Sequence, residues 1–409
     1  MEGKHYTKKN RKYWSVIPIL ITNTRIFTMA GKAYESGCIL IEDSAIVEVS
    51  ESISASKNKD DLILDAKGCW ALPGLIDAHC HIGISEEKTG TAGDDCNETA
   101  QPITPHLKAI DAINPMDAAF HNAIRAGITS VMAGPGSSNV VGGQFVFIKT
   151  WGRRVDEMVV LEPAAMKVAF GENPKNNYGK SNMMPSTRMS IGAMLREELH
   201  AARKYAEKKK AALESGDSFD EDYQMESWLP VLSKQIPLKA HVHRADDILT
   251  AIRIARLFDL KLTLDHCTEG HFIAEAIRDS GFPVILGPNL ASRNKIEVQY
   301  MDFKTAGILH KAGIKLAIMS DHPVSLIQYL PLCAGLAAKE GLGVEEGLRA
   351  ITINAAEICG VAHRVGSIEP GKDADIAIFD GNPMETFTRC LYTIINGKIV
   401  YNFDRESRN

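Results

Sequence analysis

The 409-residue sequence contains no apolar run near the 18 or so residues that a membrane-crossing helix needs, so an integral membrane protein is not expected. The nearest approach is Trp14 to Ile21, preceded by Lys4, Lys8, Lys9, Arg11 and Lys12. Thr22, Asn23, Thr24 and Arg25 break it and no small-residue cleavage site follows, so it reads as a solvated basic tail entering a first strand. A positive excess is also missing: 46 Lys and Arg against 51 Asp and Glu leave a net charge of −5, with no global field to draw nucleic acid or anionic lipid. The eight cysteines are scattered without a CxxC pair, which reads as reduced thiols of a cytoplasmic protein rather than a disulfide scaffold. No glycine spacing suits a phosphate cradle, and no nucleophile-elbow pattern supports Ser–His–Asp catalysis.

What is present is the balance of a soluble globular chain, 45% hydrophobic and 24% charged, long enough for one barrel plus a modest second module. Residues 18–28 and 38–49 are rich in β-branched side chains, as are Ala374 to Phe379 and Leu391 to Val400, with a turn signal at Asn396-Gly397. Two β-rich ends suggest one module built from residues 1–72 and 366–409. Between them, residues 73–365 alternate short apolar runs with amphipathic stretches: Ile128–Ala133, Met166–Phe170, Pro237–Ala240, Lys261–Leu264, Val284–Leu286 and Lys315–Met319. That alternation predicts repeated βα units and favours a barrel over an open sheet. Residues 194–228, a long charged helix pattern and an acidic loop, break the rhythm and read as an insertion on the outside of the barrel.

Polar residues with chemical capacity stand at the C-terminal ends of the predicted strands, where a barrel presents its catalytic face. In Leu75-Ile76-Asp77-Ala78-His79-Cys80-His81, residues i and i+2 share a face, so His79 and His81 can converge on one ion. Imidazole suits zinc, iron, nickel or copper. Lys239-Ala240-His241-Val242-His243 repeats the pattern, with either one or both histidines serving the site. Leu264-Asp265-His266-Cys267 and Ala317-Ile318-Met319-Ser320-Asp321-His322-Pro323 follow two further strands. An acid after an apolar strand is ill suited to a core unless paired or metal-bound. Each set alone is more simply a satisfied buried polar group; their coincidence on separate strands points to a metal site.

A fifth stretch, Met166 to Lys175, offers Glu172 just past a strand as a bridging carboxylate. Lys167, about 16 Å earlier along an extended chain, is expected to sit too deep and would need carboxylation. Ala133 to Asn139 and Val141 to Gln144 are glycine-rich; pocket-lining backbone donors and tight βα turns explain them equally well.

Pro73-Gly74-Leu75-Ile76-Asp77-Ala78-His79-Cys80-His81, the later histidines, Ser320-Asp321-His322-Pro323 and Gly366-Ser367-Ile368-Glu369-Pro370-Gly371-Lys372-Asp373-Ala374-Asp375 together resemble the amidohydrolase superfamily. The likeness spans nearly the whole chain in the right order, and within the superfamily it leans to the imidazolonepropionase-like branch and its prolidase-like relatives. It implies an α/β fold, a (β/α)₈ TIM barrel with a small β-sandwich domain from both termini. His79 and His81 match the first-strand metal ligands, His241 the fifth-strand histidine and His266 the sixth. Asp321 matches the eighth-strand aspartate that ligates metal and accepts the proton of water. His243 falls where relatives often carry an acid that handles substrate, so Asp321, His266 and His243 are the catalytic candidates. The expected metal set is His79, His81, Glu172, His241, His266 and Asp321, holding one or two divalent ions, zinc first, with iron, manganese or nickel open. Asn139, Gln144 and His322 are the candidates for touching substrate.

The implied reaction is hydrolysis of a C–N bond of the cyclic amide or imidazolone type, by water activated on a metal with Asp321 as general base. An X-Pro dipeptidase or an aminohydrolase (deaminase) is the enzymatic alternative. A catalytically inactive structural homologue is the non-enzymatic one, and the clustered ligands weigh against it, because a scaffold has no need of them. The expected partners are a small-molecule substrate and further copies of the same chain, with no nucleic acid and no membrane.

Overall fold

The computed structural model describes residues 17–53, 62–87 and 90–406, so the basic stretch from Lys4 to Lys12 falls outside the described residues. The chain opens with β1 (Ile19–Phe27), β2 (Ala33–Glu42), β3 (Ala45–Ser50), β4 (Leu62–Asp65) and β5 (Trp70–Pro73). The barrel follows as β6 (Leu75–Cys80), β7 (Ile128–Ala133), β8 (Val141–Lys149), β9 (Val159–Ala169), β10 (Leu238–Val242), β11 (Leu262–His266), β12 (Val284–Leu286) and β13 (Leu316–Ile318). β14 (Ile376–Phe379), β15 (Cys390–Ile395) and β16 (Lys398–Asn402) end it.

β6 to β13 form one eight-stranded sheet in sequence order. Just past its last strand the sheet returns to its first: His81 N donates to His322 O at 2.9 Å and Asp321 N to His79 O at 3.2 Å. The barrel is thus nearly closed, as the alternating pattern predicts. Along the strands the period of two separates inside from outside. Leu238, Ala240 and Val242, Leu262 and Leu264, and Val284 and Leu286 join the large core beneath the helices. Phe145, Phe147, Ala165, Ile285 and Ala317 form a separate interior cluster. The polar residues Lys167, Lys239, His241 and Asp265 occupy the same alternate positions as that interior set.

One strand departs from uniform βα repetition. Val141 to Gln144 opens β8, which pairs antiparallel with both β7 and β9. The glycines there serve close approach rather than a βα turn: Gly143 has φ 122°, and a Cβ on it would stand 2.5 Å from Leu107 O.

The segment between β9 and β10 contains a helix from Arg188 to Ser215, opened by a Thr187–Ser190 capping box and closed by left-handed Gly216. Its buried residues, Ile191, Gly192, Leu195, Leu199 and Ala202, all precede its last thirteen positions. Residues 194–228 are therefore part of the barrel's own β9–β10 connection, lengthened outward.

Strands from both ends of the chain share the second sheet, ordered β16-β15-β14-β5-β1-β2-β3 with β4 beside β1. The β15–β16 hairpin turns on Asn396 (φ 49°) and Gly397 (φ 73°), as the dipeptide predicts. Among the described residues no helix is long and apolar enough to cross a membrane.

Candidate active site

Strand ends β6, β10 and β11 and the loop after β13 bring His79, His81, His241, His243, His266 and Asp321 to one mouth of the barrel, all buried. Asp321 Oδ1 lies 3.3 Å from His81 Nε2 and 3.6 Å from His79 Nε2. Two groups offer ligand atoms within 4.8 Å of one another: His79, His266 and Asp321, and His241, His243 and His266. Two of these positions are held in the left-handed backbone region, His266 at φ 70° and Asp321 at φ 54°, a strain that a fold keeps where function needs the direction.

The imidazoles are anchored from behind. His79 Nδ1 meets Asp265 Oδ2 at 2.5 Å, His81 Nδ1 donates to Gly134 O at 2.7 Å, and His266 Nδ1 donates to Gly287 O at 2.8 Å. In His79 and His266 a proton fixed on Nδ1 leaves the Nε2 lone pair facing the shared space. His266 Nε2 has no hydrogen-bond partner among the described residues. Buried polar atoms are seldom left so, and an orphaned nitrogen beside a carboxylate and further imidazoles suits a divalent cation. Asp265 is itself braced by Lys239 Nζ at 3.0 Å and Thr263 Oγ1 at 2.8 Å, and Lys239 also donates to Ala78 O at 2.9 Å. Asp77 accepts from His79 N at 3.2 Å and from Ser320, tying β6 to the Asp321 loop.

Burial and neighbouring charges set the protonation states. Burial drives His79, His241 and His266 far below the ordinary histidine range and His243 down to about 4, so these rings are neutral. Burial acts on His81 in the same sense, but nearby Cys96 and Asp321 outweigh it and push it up to about 10. Burial would raise Asp321, yet His81 and His266 hold it below the usual carboxylate range. Burial lowers Lys167 to about 8 against the pull of Asp265 and Asp321. Asp77 is raised to about 7 by burial.

The other sequence candidates fall into place differently. Lys167 is not too deep: its Nζ lies 3.3 Å from His79 Nε2, inside the cluster. Depth along the chain was a poor guide, because a barrel's staggered strands bring a residue of one to the level of another's end. Glu172 begins the helix Glu172–Gly179, and its Oε1 accepts from Glu297 N at 3.1 Å. Asn139 is buried with its amide spent on Thr104 Oγ1 (3.0 Å) and the Tyr178 hydroxyl (2.6 Å). Gln144 donates to Pro105 O at 3.2 Å. His322 Nδ1 accepts from Ile327 N at 3.2 Å, and its Nε2 has no partner among the described residues. Sequence reasoning missed Asp265 and Lys239 as supports, Cys96 beside His81, and Glu297, whose Oε1 lies 3.9 Å from both His241 Nε2 and His243 Nε2.

The sequence profile of the amidohydrolase family matches residues 70–400. The chain belongs to the amidohydrolase family. An amidohydrolase of Thermotoga maritima MSB8 with a solved structure is 40% identical, with a TM-score of 0.91 over 94% of this chain and 100% of that one. An imidazolonepropionase from Picrophilus torridus is 25% identical over 89% of this chain and 94% of its own length. The amidohydrolase tasK of Hapsidospora irregularis is 27% identical over 98% of this chain, which spans only 43% of tasK. A prolidase solved with N-methylphosphonate-L-proline shares the fold at 19% identity, with a TM-score of 0.61 over 94% of this chain and 100% of that one. The amidohydrolase with imidazolonepropionase-like and prolidase-like relatives that the motifs imply is what the comparisons return. It is a hydrolase acting on carbon–nitrogen bonds, in a family whose substrates are small molecules.

Proposed function

We propose that this chain is a metal-dependent amidohydrolase that cleaves the C–N bond of a small cyclic amide or imidazolone, with Asp321 as general base. The observation that carries this reading is the set of histidines anchored through Nδ1 with Nε2 turned to Asp321. His79, His81 and Asp321 would hold one divalent ion, and His241 and His266 a second. Lys167, beside His79 and acting on His241 as well, replaces Glu172 as the candidate for joining the two groups once its amine is carboxylated. Such ions supply Lewis acidity and bring the pKa of water to about 7, and the imidazole-rich set suits zinc ahead of iron, nickel or manganese.

The chain's own residues account for the proton. Asp321 is ionised, so it can take a proton from the attacking water and return it to the leaving nitrogen. His243, neutral and held through Nδ1 by Thr268 Oγ1 at 2.8 Å, is placed to hydrogen-bond a polar substrate group through Nε2. Burial of Asp321 and His243 strengthens both interactions.

The test is hydrolysis by the metal-loaded protein, followed as ring opening (loss of ring absorbance and gain of one water in mass) for imidazolones and ring amides, as ammonia release for pterins and purines, and as proline release for X-Pro dipeptides. Turnover of imidazolones or ring amides is expected. Release confined to X-Pro dipeptides or to aminopurines would replace this substrate assignment, and a chain that takes up no metal would overturn the mechanism.

A further inference from the structure

A carboxylate other than Glu172, the bridging candidate of the sequence, stands near the second group of histidines. Glu297 lies on the loop after β12, wholly buried, and its two oxygens have different surroundings. Oε2 accepts from Glu172 N at 2.8 Å, while Glu297 N donates to Glu172 Oε1 at 3.1 Å. The two glutamates thus clasp each other across the loops that follow β9 and β12. Gly171 permits the closeness: its φ is 86°, and a Cβ there would stand 2.6 Å from Glu297 Oε2. Oε1 has no hydrogen-bond partner among the described residues. The groups around it are His241 Nε2 and His243 Nε2, each at 3.9 Å, and Lys295 Nζ at 3.8 Å, which already donates to Asn173 Oδ1 at 2.6 Å.

Two orphaned buried atoms, Glu297 Oε1 and His266 Nε2, therefore border a group in which His241, His243 and His266 offer nitrogens within 4.8 Å of one another. A buried carboxylate oxygen left unpaired is costly unless something positive meets it. We propose that Glu297 and His243 are ligands that complete a His241–His243–His266–Glu297 cradle for the second divalent cation, with Glu172 as the positioning residue that aims Glu297. This rests on the metal-dependent reading above, adds Glu297 as a ligand, moves His243 Nε2 from substrate contact to the metal, and gives Glu172 a role. Ligand atoms around a four-coordinate ion with bonds of about 2.1 Å stand roughly 3.4 Å apart, so the 3.9 Å spacing needs only a small closure. The rival role for Glu297 is to receive a cationic group of the substrate, and it makes no demand on metal affinity.

Metal binding without turnover separates the two. The apo full-length chain, as wild type, Glu297→Gln and Glu172→Ala, is titrated with Co²⁺ followed by its visible spectrum, and with Zn²⁺ against a chromophoric chelator. Wild type is expected to take two equivalents. Glu297→Gln should keep the first and weaken the second by at least about 100-fold, beyond the roughly 10–100-fold range of a supporting residue, with an altered cobalt spectrum for that equivalent. Glu172→Ala, which loosens the clasp only, should weaken the second by roughly 10-fold. If Glu297→Gln binds both equivalents as wild type does, with the same cobalt spectrum, the proposal is overturned while the metal-dependent reading stands. A wild type that binds no metal overturns both. Should circular dichroism show Glu297→Gln unfolded, Glu297→Asp is read instead: an intermediate second-site affinity supports the proposal, and an unchanged one overturns it.

Discussion

Charge is buried at the seam between the barrel and the terminal sheet and again at the barrel mouth, and these two places are treated in opposite ways. At the seam between the barrel and the terminal sheet, Lys149 of β8 meets Asp375 Oδ2 at 2.5 Å and Asp373 Oδ2 at 2.9 Å. Arg364 reaches Asp373 at 2.8 Å, and Asp375 Oδ1 accepts from Asn396 N at 2.9 Å. At the barrel mouth, by contrast, His266 Nε2, Glu297 Oε1 and His322 Nε2 have no hydrogen-bond partner among the described residues, and the nearest cation to Glu297 Oε1, Lys295 Nζ, stands off at 3.8 Å. Folded chains satisfy most buried polar groups, so a cluster that pairs its charges holds the structure together, and one that gathers open imidazole and carboxylate atoms in one place is suited to a ligand. Identity of residues does not distinguish the two clusters; completion of their hydrogen bonds does.

Substitutions at the two places should fail in opposite ways. Asp321→Asn keeps shape and removes the proton acceptor, so turnover should fall by roughly 10²–10⁴-fold with the melting temperature little changed. A variant retaining more than about a tenth of the wild-type rate would make Asp321 a bystander. Lys149→Met should do the reverse. It leaves Asp375, 4% exposed, without its cation, a loss on the order of 3–5 kcal/mol in stability, with metal content per folded chain unchanged. Chemical denaturation and elemental analysis of the same sample decide it. A Lys149→Met protein as stable as wild type would show the seam to be dispensable, and the comparison would lose one side.

How much of this was legible in the sequence follows from whether the information is local. His79-Cys80-His81 and Asp321 declare themselves, because strand periodicity and an acid after an apolar run are properties of neighbouring residues. β8 was hidden, since Gly142 and Gly143 read as a turn although the alternation of Phe145 and Phe147 into the barrel was there to be found. Lys167 was misjudged because level in a barrel is set by stagger against other strands. Asp265 and Lys239 were visible as residues but not as a pair: their contact depends on the register that sets Lys239 opposite Thr263 and His241 opposite Asp265. Glu297 has no local signal at all in Lys295-Ile296-Glu297-Val298, and only the tertiary fold delivers it to the histidines.

Asp247 lies between the two regimes. It stands on the helix Ala245–Leu257 with both carboxylate oxygens 3.0 Å from Arg188 Nε, and burial nonetheless pushes it up to about 6. Its folded pKa is above its unfolded one, so between roughly pH 4 and 6 the folded state holds more proton and stability declines as pH rises through that window. Asp247→Asn cannot titrate. Its stability relative to wild type should therefore increase between pH 4 and pH 7, by about 3 kcal/mol at most. Paired thermal melts across that range check it; a difference that stays flat with pH would place Asp247 with the satisfied charges of the seam.

The smallest expected effect probes the support of the mouth rather than its open face. Asp265 receives three neighbours: His79 Nδ1 at 2.5 Å and Lys239 Nζ at 3.0 Å on Oδ2, and Thr263 Oγ1 at 2.8 Å on Oδ1. Only the first bears on a metal ligand, because an acceptor behind Nδ1 fixes the tautomer and raises the basicity of Nε2. Asp265→Asn retains one acceptor oxygen, loses the charge, and cannot serve His79 and Lys239 as the carboxylate does. Metal affinity should fall by roughly 10–100-fold, read by competition with a chelator. Thr263→Val is the control, since it removes a hydrogen bond from the same carboxylate without touching His79, and its metal affinity should stay within about threefold of wild type on the scale of one net hydrogen bond. If the two variants lose affinity equally, Asp265 is part of the packed interior alone. If only Asp265→Asn does, the satisfied charges below the mouth are what aim its unsatisfied ones.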